Sequence, residues 1–161
     1  MAAYLSNALV SWASFYANHA AVRTLIAFVH VAALIGGGGL AIAADRATLA
    51  AHGKDDAGRR TQLEALRAAH RTVIVSLVLI VVSGVLLFAA DVETYLYSRF
   101  FWTKMGLVAA LVANGALLWT AERRAQRGDQ SAWPRLRATA VASIVLWLLT
   151  TLGGVGLPNI G

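Results

Sequence analysis

Apolar residues run in four long blocks along this chain, at 24–44, 72–90, 100–120 and 138–157, and the charged residues gather in the stretches between them. Each block approaches or exceeds the ~18–20 residues that a helix needs to cross a hydrocarbon layer. The pattern predicts an all-α integral membrane protein with spans at about 22–45, 70–91, 99–121 and 136–157, in a single domain covering 1–161. Short connections make successive spans antiparallel neighbours, so the expected architecture is an up-down four-helix bundle.

The segment before the first block, "MAAYLSNALVSWASFYANHA", has a different pattern. Leu5, Ala8, Leu9, Trp12, Phe15 and Tyr16 fall at helical spacing on one face, and Ser6, Asn7, Ser11, Ser14 and Asn18 lie mostly off it. It lacks the basic start of a signal peptide. An uncharged amphipathic helix with an aromatic apolar side belongs in the membrane interface, and we expect one at 3–18. Between the first two spans, Asp55 or Asp56 can cap a helix whose apolar side is Leu63, Leu66 and Ala69, running without a break into span two. Pro134 marks the start of the fourth span, with Trp133 at interfacial depth.

Charge adds an orientation. The formal net charge is +6, and its distribution excludes a nucleic-acid patch. Arg46, Lys54, Arg59, Arg60, Arg67 and Arg71 lie between spans one and two; Arg123, Arg124, Arg127, Arg135 and Arg137 lie between spans three and four. Only Arg23, Arg99 and Lys104 fall near the other side. Lys and Arg mark cytoplasmic loops, so both termini should face the periplasm of a bacterial inner membrane. The absence of cysteine excludes disulfides, thiolate metal sites and cysteine catalysis.

Within the spans, the residues that stand out are small or polar. Gly36, Gly37, Gly38 and Gly39 follow Ala32 and Ala33, and small-xxx-small spacing predicts a close helix crossing on span one. The alternative use of the glycines is room for a flat cofactor. A phosphate loop is excluded, because no strand precedes them and no Lys-Ser/Thr follows. At ~1.5 Å of rise per residue, His30, Ser83, Lys104 and Thr150 fall in one shallow layer below the outer surface, one per span, with Asp91 and Glu93 above them. Intramembrane ionisable groups face a bundle interior or wet cavity and pair with something. That layer could hold a quinone headgroup, a carboxylate or an ion, with Lys104 paired to Asp91 or Glu93. Against it stand a snorkelling Lys104 and a His30 that bonds across the bundle. Asn114 reads as interhelical glue, and Asp45-Arg46 as the closing pair of span one with Arg46 at the headgroups.

A bis-histidine b-type haem does not fit these spacings. His30 and His70 lie at opposite depths, roughly 20 Å apart along the helix axis, His52 is in a loop, and His19 shares a helix with His30. No two ligand-type residues stand at i, i+3 or i, i+4 within a span, so no metal site is expected, nor is there a nucleophile with a base beside it.

The segments "FVHVAALIGGGGLAIAADRATLA", "LRAAHR" and "VVSGVLLFAADVETYLYSRFFWTKMGLVAALVANGALL" resemble an uncharacterised family of small four-span bacterial inner-membrane proteins. The matching positions are His30, Asp45, Arg46, His70, Ser83, Gly84, Phe88, Asp91, Tyr95, Phe101 and Lys104. The pattern differs here in two ways: Asp45 and Arg46 are adjacent, and no Pro-Trp follows His70. The resemblance implies the four-span fold and no activity, and it favours His30 and Lys104 as site residues. A fainter likeness is to copper-resistance-type and cytochrome b561-like membrane proteins.

These observations point to a small non-enzymatic accessory subunit that packs against a larger membrane complex, one handling electrons, or forms a homo-oligomer, with no resident cofactor. The alternative is a redox or quinone-binding membrane protein, with quinone or haem b held near His30 and Lys104. A third is a small ion or metal transporter.

Overall fold

The computed structural model describes the backbone of residues 2–51 and 55–160 and the side chains of residues 7–51 and 55–156. Six helices follow one another: α1 (Ala2–Asn18), α2 (Ala20–Ala50), α3 (Asp56–Ala90), α4 (Val92–Tyr97), α5 (Arg99–Gln126) and α6 (Ala132–Ile160). Four of them, α2, α3, α5 and α6, are long and apolar enough to cross a membrane. His52 and Lys54 lie outside the described residues.

Local chemistry explains the boundaries. Asp55 Oδ1 accepts from Gly58 N at 2.9 Å and caps α3. Ser98 Oγ accepts from Phe101 N at 3.2 Å and caps α5, so each helix start gains a partner for an orphan N–H. Helix α5 stops at Gly128, whose φ of 87° is accessible to glycine at little cost. Gly128 N then donates to Ala125 O and Asp129 N to Arg124 O, the two bonds of a Schellman ending. Pro134 sits in the first turn of α6, where its missing N–H costs nothing. The connection between α3 and α5 holds one feature beyond the expected loop: Asp91 closes α3 and caps the short α4, accepting from Thr94 N at 3.4 Å.

The long helices form two antiparallel hairpins, α2/α3 and α5/α6, joined along α2 and α6. On the remaining side α3 and α5 barely touch, so the bundle is open along that edge. One end carries α1, α4 and the last turn of α6, and is called the terminal end below. The other carries the α2–α3 and α5–α6 connections with Arg59, Arg60, Arg67, Arg123, Arg124 and Arg127, and is called the arginine-rich end. Trp12 of α1 donates its indole N–H to Leu86 O of α3 at 3.0 Å, which fastens α1 to the terminal end.

Exposure runs opposite to that of a water-soluble bundle. On α3, Val78 and Val85 are 56% and 58% exposed, whereas Ser76 and Ser83 are 8% and 4% exposed. Apolar side chains outside and hydroxyls inside suit a helix surrounded by lipid, because only the protein interior offers polar groups a partner. The four glycines divide by face. A methyl at Gly37 would stand 2.4 Å from Ser76 Cβ, and one at Gly38 would stand 2.9 Å from the Trp147 ring. Gly36 and Gly39 meet nothing within 4 Å. The expected crossing thus belongs to Gly37 against α3 and Gly38 against α6, and Gly36 takes no part in it, because consecutive helical residues point about 100° apart.

Buried apolar side chains concentrate near the arginine-rich end, where Leu63, Leu66, Leu118, Trp133 and Leu136 meet. Trp133 is 7% exposed and carries the Arg59 guanidinium 5.2 Å from its ring centroid. It is therefore packed inside the bundle.

Candidate functional site

Polar side chains gather in the bundle at two levels. Near the terminal end, His30 Nδ1 lies 2.9 Å from Ser83 Oγ. That hydroxyl has a single proton and already donates to Leu79 O at 2.6 Å. It must therefore accept from the histidine, which puts a proton on Nδ1. Gly84 lets α3 come close, since a methyl there would stand 3.4 Å from His30 Cε1. Lys104 lies within electrostatic reach of His30, and its stem crosses α6 at Gly153 and Gly154. Thr150, one turn earlier on α6, is 6% exposed and its hydroxyl has no partner. Of the four residues expected in this layer, His30 and Ser83 are bonded and Lys104 joins them electrostatically. Thr150 shares the helix face that Lys104 crosses. The expected pairing of Lys104 with Asp91 or Glu93 is absent among the described residues; Asp91 spends its carboxylate on the α4 cap, and both acids are exposed.

The second level lies toward the arginine-rich end and is acidic. His70 Nδ1 of α3 stands 2.8 Å from Glu122 Oε2 of α5, with Glu122 3% exposed at its side chain. The separation is that of an ion pair, although the oxygen lies off the line of a good ring N–H bond. The other oxygen, Glu122 Oε1, accepts from Gln126 Nε2 at 2.8 Å. Asp45 of α2 is 2% exposed, Ser143 of α6 and His70 act on its charge, and its Oδ2 has no hydrogen-bond partner. Asp45 was expected to close span one. Instead α2 continues to Ala50, Arg46 alone faces out, and Asp45 turns inward. The reason is helical phase: His30, Ala33, Gly37, Ala41, Asp45 and Thr48 recur at three- and four-residue intervals along the inward face.

A cavity of about 420 Å³ fills the opening between α3 and α5, and Asp45, His70, Ser143 and Trp147 line it together with apolar side chains such as Leu77 and Leu111. Ile74 and Val112, also in its wall, are 56% and 54% exposed. The cavity therefore opens sideways, toward lipid. Sequence reasoning missed this site. Glu122 precedes Arg123 and Arg124 and reads as part of a solvated helix end. Its place on the Leu111, Asn114, Leu118, Glu122 face was the available signal. Asn114 behaves as expected, donating to Thr139 O of α6 at 2.9 Å.

No histidine pair is brought together among the described residues, and no group of three or more acidic or imidazole side chains there could hold a metal ion. No curated protein and no solved structure matches the chain. Residues 10–157 match the family described as "Family of unknown function (DUF6644)", and because that match covers nearly all of the sequence, the chain belongs to this family.

Proposed function

We propose that this membrane protein binds a small amphiphile of the quinone or quinol type, drawn from the lipid through the opening between α3 and α5. The observation that carries the reading is Asp45 Oδ2, a buried carboxylate oxygen without a partner in the wall of a lipid-facing cavity. Such an oxygen costs free energy until it receives a donor. A quinol hydroxyl is a donor of the right kind, and His70 offers the remaining ring nitrogen to a second headgroup oxygen. The volume suits a headgroup and the first part of a tail. Quinone binding was expected around His30 and Lys104; the cavity supports the acidic level instead. The arginine clustering supports a cytoplasmic position for that end, with both termini outside.

The test is titration of the detergent-purified protein with a short-chain quinol, kept reduced, read by quenching of Trp119 and Trp147, both in the cavity wall. Saturable quenching is expected, weakened about tenfold or more in Asp45→Ala, as loss of one hydrogen bond to a charged group implies. Unsaturable quenching, or equal affinity in the variant, refutes the reading. An accessory role is the second reading, supported by Gly36 and Gly39, which leave an open, close-approach strip on the outside of α2. Co-purification of larger subunits that is lost in Gly36→Leu would favour it.

A further inference from the structure

We propose that the terminal end of the bundle holds a separate anion site, built from Lys104, His30 and Thr150, for a monovalent carboxylate. It does not rest on the occupant of the cavity at the other end. The charge is unbalanced: Lys104 is half-buried, His30 is its electrostatic neighbour, and no carboxylate reaches it among the described residues. A cation held in a low-dielectric bundle is costly unless it is paired. The backbone is shaped around it. Gly153 and Gly154 let the lysine stem lie against α6, and the ammonium group stands 3.6 Å from where a Gly154 methyl would be.

Thr150 supplies the second, independent sign of a ligand. It sits three and four residues before those glycines, hence on the same helix face. Its buried hydroxyl has no partner, so an O–H donor is left unused on the face of α6 that the lysine stem crosses. His30 is held by Ser83 through Nδ1, so the neutral ring walls the site and gives the ligand no hydrogen bond. One full positive charge and one hydroxyl donor suit a ligand with a single negative charge and two oxygens. A dianion such as phosphate would keep one charge uncompensated.

The experiment follows the thermal unfolding midpoint of the full chain in detergent as sodium acetate replaces sodium chloride at constant ionic strength. We expect a saturable rise on the order of 5 °C, absent in Lys104→Met. No rise, or the same rise in Lys104→Met, overturns the proposal. Should Lys104→Met fail to fold, Thr150→Asp decides the matter, because it puts a carboxylate next to Lys104. The variant should unfold at a higher temperature than the parent and ignore acetate. A lowered midpoint, or an undiminished acetate response, overturns the proposal.

Discussion

At the terminal end, His30 and Lys104 stand among hydroxyls with no acid paired to them among the described residues; at the arginine-rich end, Asp45 and Glu122 are both buried and share one histidine. One bundle thus carries a base-rich level and an acid-rich level, each made from side chains of different helices. The two differ in access as well. The basic level lies beneath α1 and α4, and the acidic level borders a cavity open to lipid between α3 and α5. The contrast teaches that a buried charge can be kept by two means. Glu122 is paired within the chain, whereas among the described residues Lys104 has no acid partner and Asp45 keeps one oxygen without a donor.

The largest effect that would sharpen this contrast is expected from the internal pair. His70→Leu leaves Glu122 buried with no opposite charge, only the Gln126 amide, and should cost roughly 3 kcal/mol. The double variant His70→Leu/Glu122→Leu should recover most of it, as measured by reversible unfolding in mixed micelles. A fully additive double variant would mean that the pair is not coupled. Next comes Gly37→Ala, whose methyl would collide with Ser76 and push α2 from α3 at the middle of the bundle. About 1–3 kcal/mol of destabilisation is expected, against almost none for Gly36→Ala on the open face; equal effects would break the assignment of faces.

Ser83→Ala removes the acceptor that fixes His30 and should cost about 1 kcal/mol. The His30 ring proton, followed by NMR of labelled histidine, should lose its hydrogen-bonded shift. An unchanged spectrum would remove Ser83 from the basic level. The smallest effect lies outside the membrane, at the connection between α5 and α6. Asp129 Oδ1 accepts from Ser131 Oγ at 2.6 Å and Ser131 N at 2.9 Å, which holds its carboxyl below the usual carboxylate range. A lowered folded-state value stabilises at neutral pH and is lost as pH falls through it. Acid should therefore loosen the Ser131 amide, seen as faster hydrogen exchange there, while neither buried level responds to Asp129→Asn.

Much of the frame was readable from the residues. The four spans follow from length and hydropathy, and the Asp55 cap follows from side-chain chemistry local to a turn. The placing of His30 and Ser83 at one level came from counting helical rise, and they are indeed bonded. What escaped was whatever depended on rotation about a helix axis. Asp45 sits next to Arg46 and reads as part of the pair that closes span one, and Glu122, next to Arg123, does not stand out at all. Residues one apart point about 100° from each other, and the acids turn inward while the arginines turn out. Gly36 and Gly37 were read as one strip for the same reason.

The sequence by itself determined how many long apolar helices there are, that they alternate in direction and which end collects the arginines, because these depend on hydropathy and short connections alone. Only the tertiary structure decided which polar groups meet, because that depends on helix phase and on which pairs of helices touch. It also decided that α3 and α5 stay apart. Apart from the His70–Glu122 pair, the side chains that line the gap on both helices are apolar, and apolar burial does not drive helices together when lipid is the alternative. That gap makes Asp45 and His70 the wall of a lipid-facing cavity instead of a sealed core.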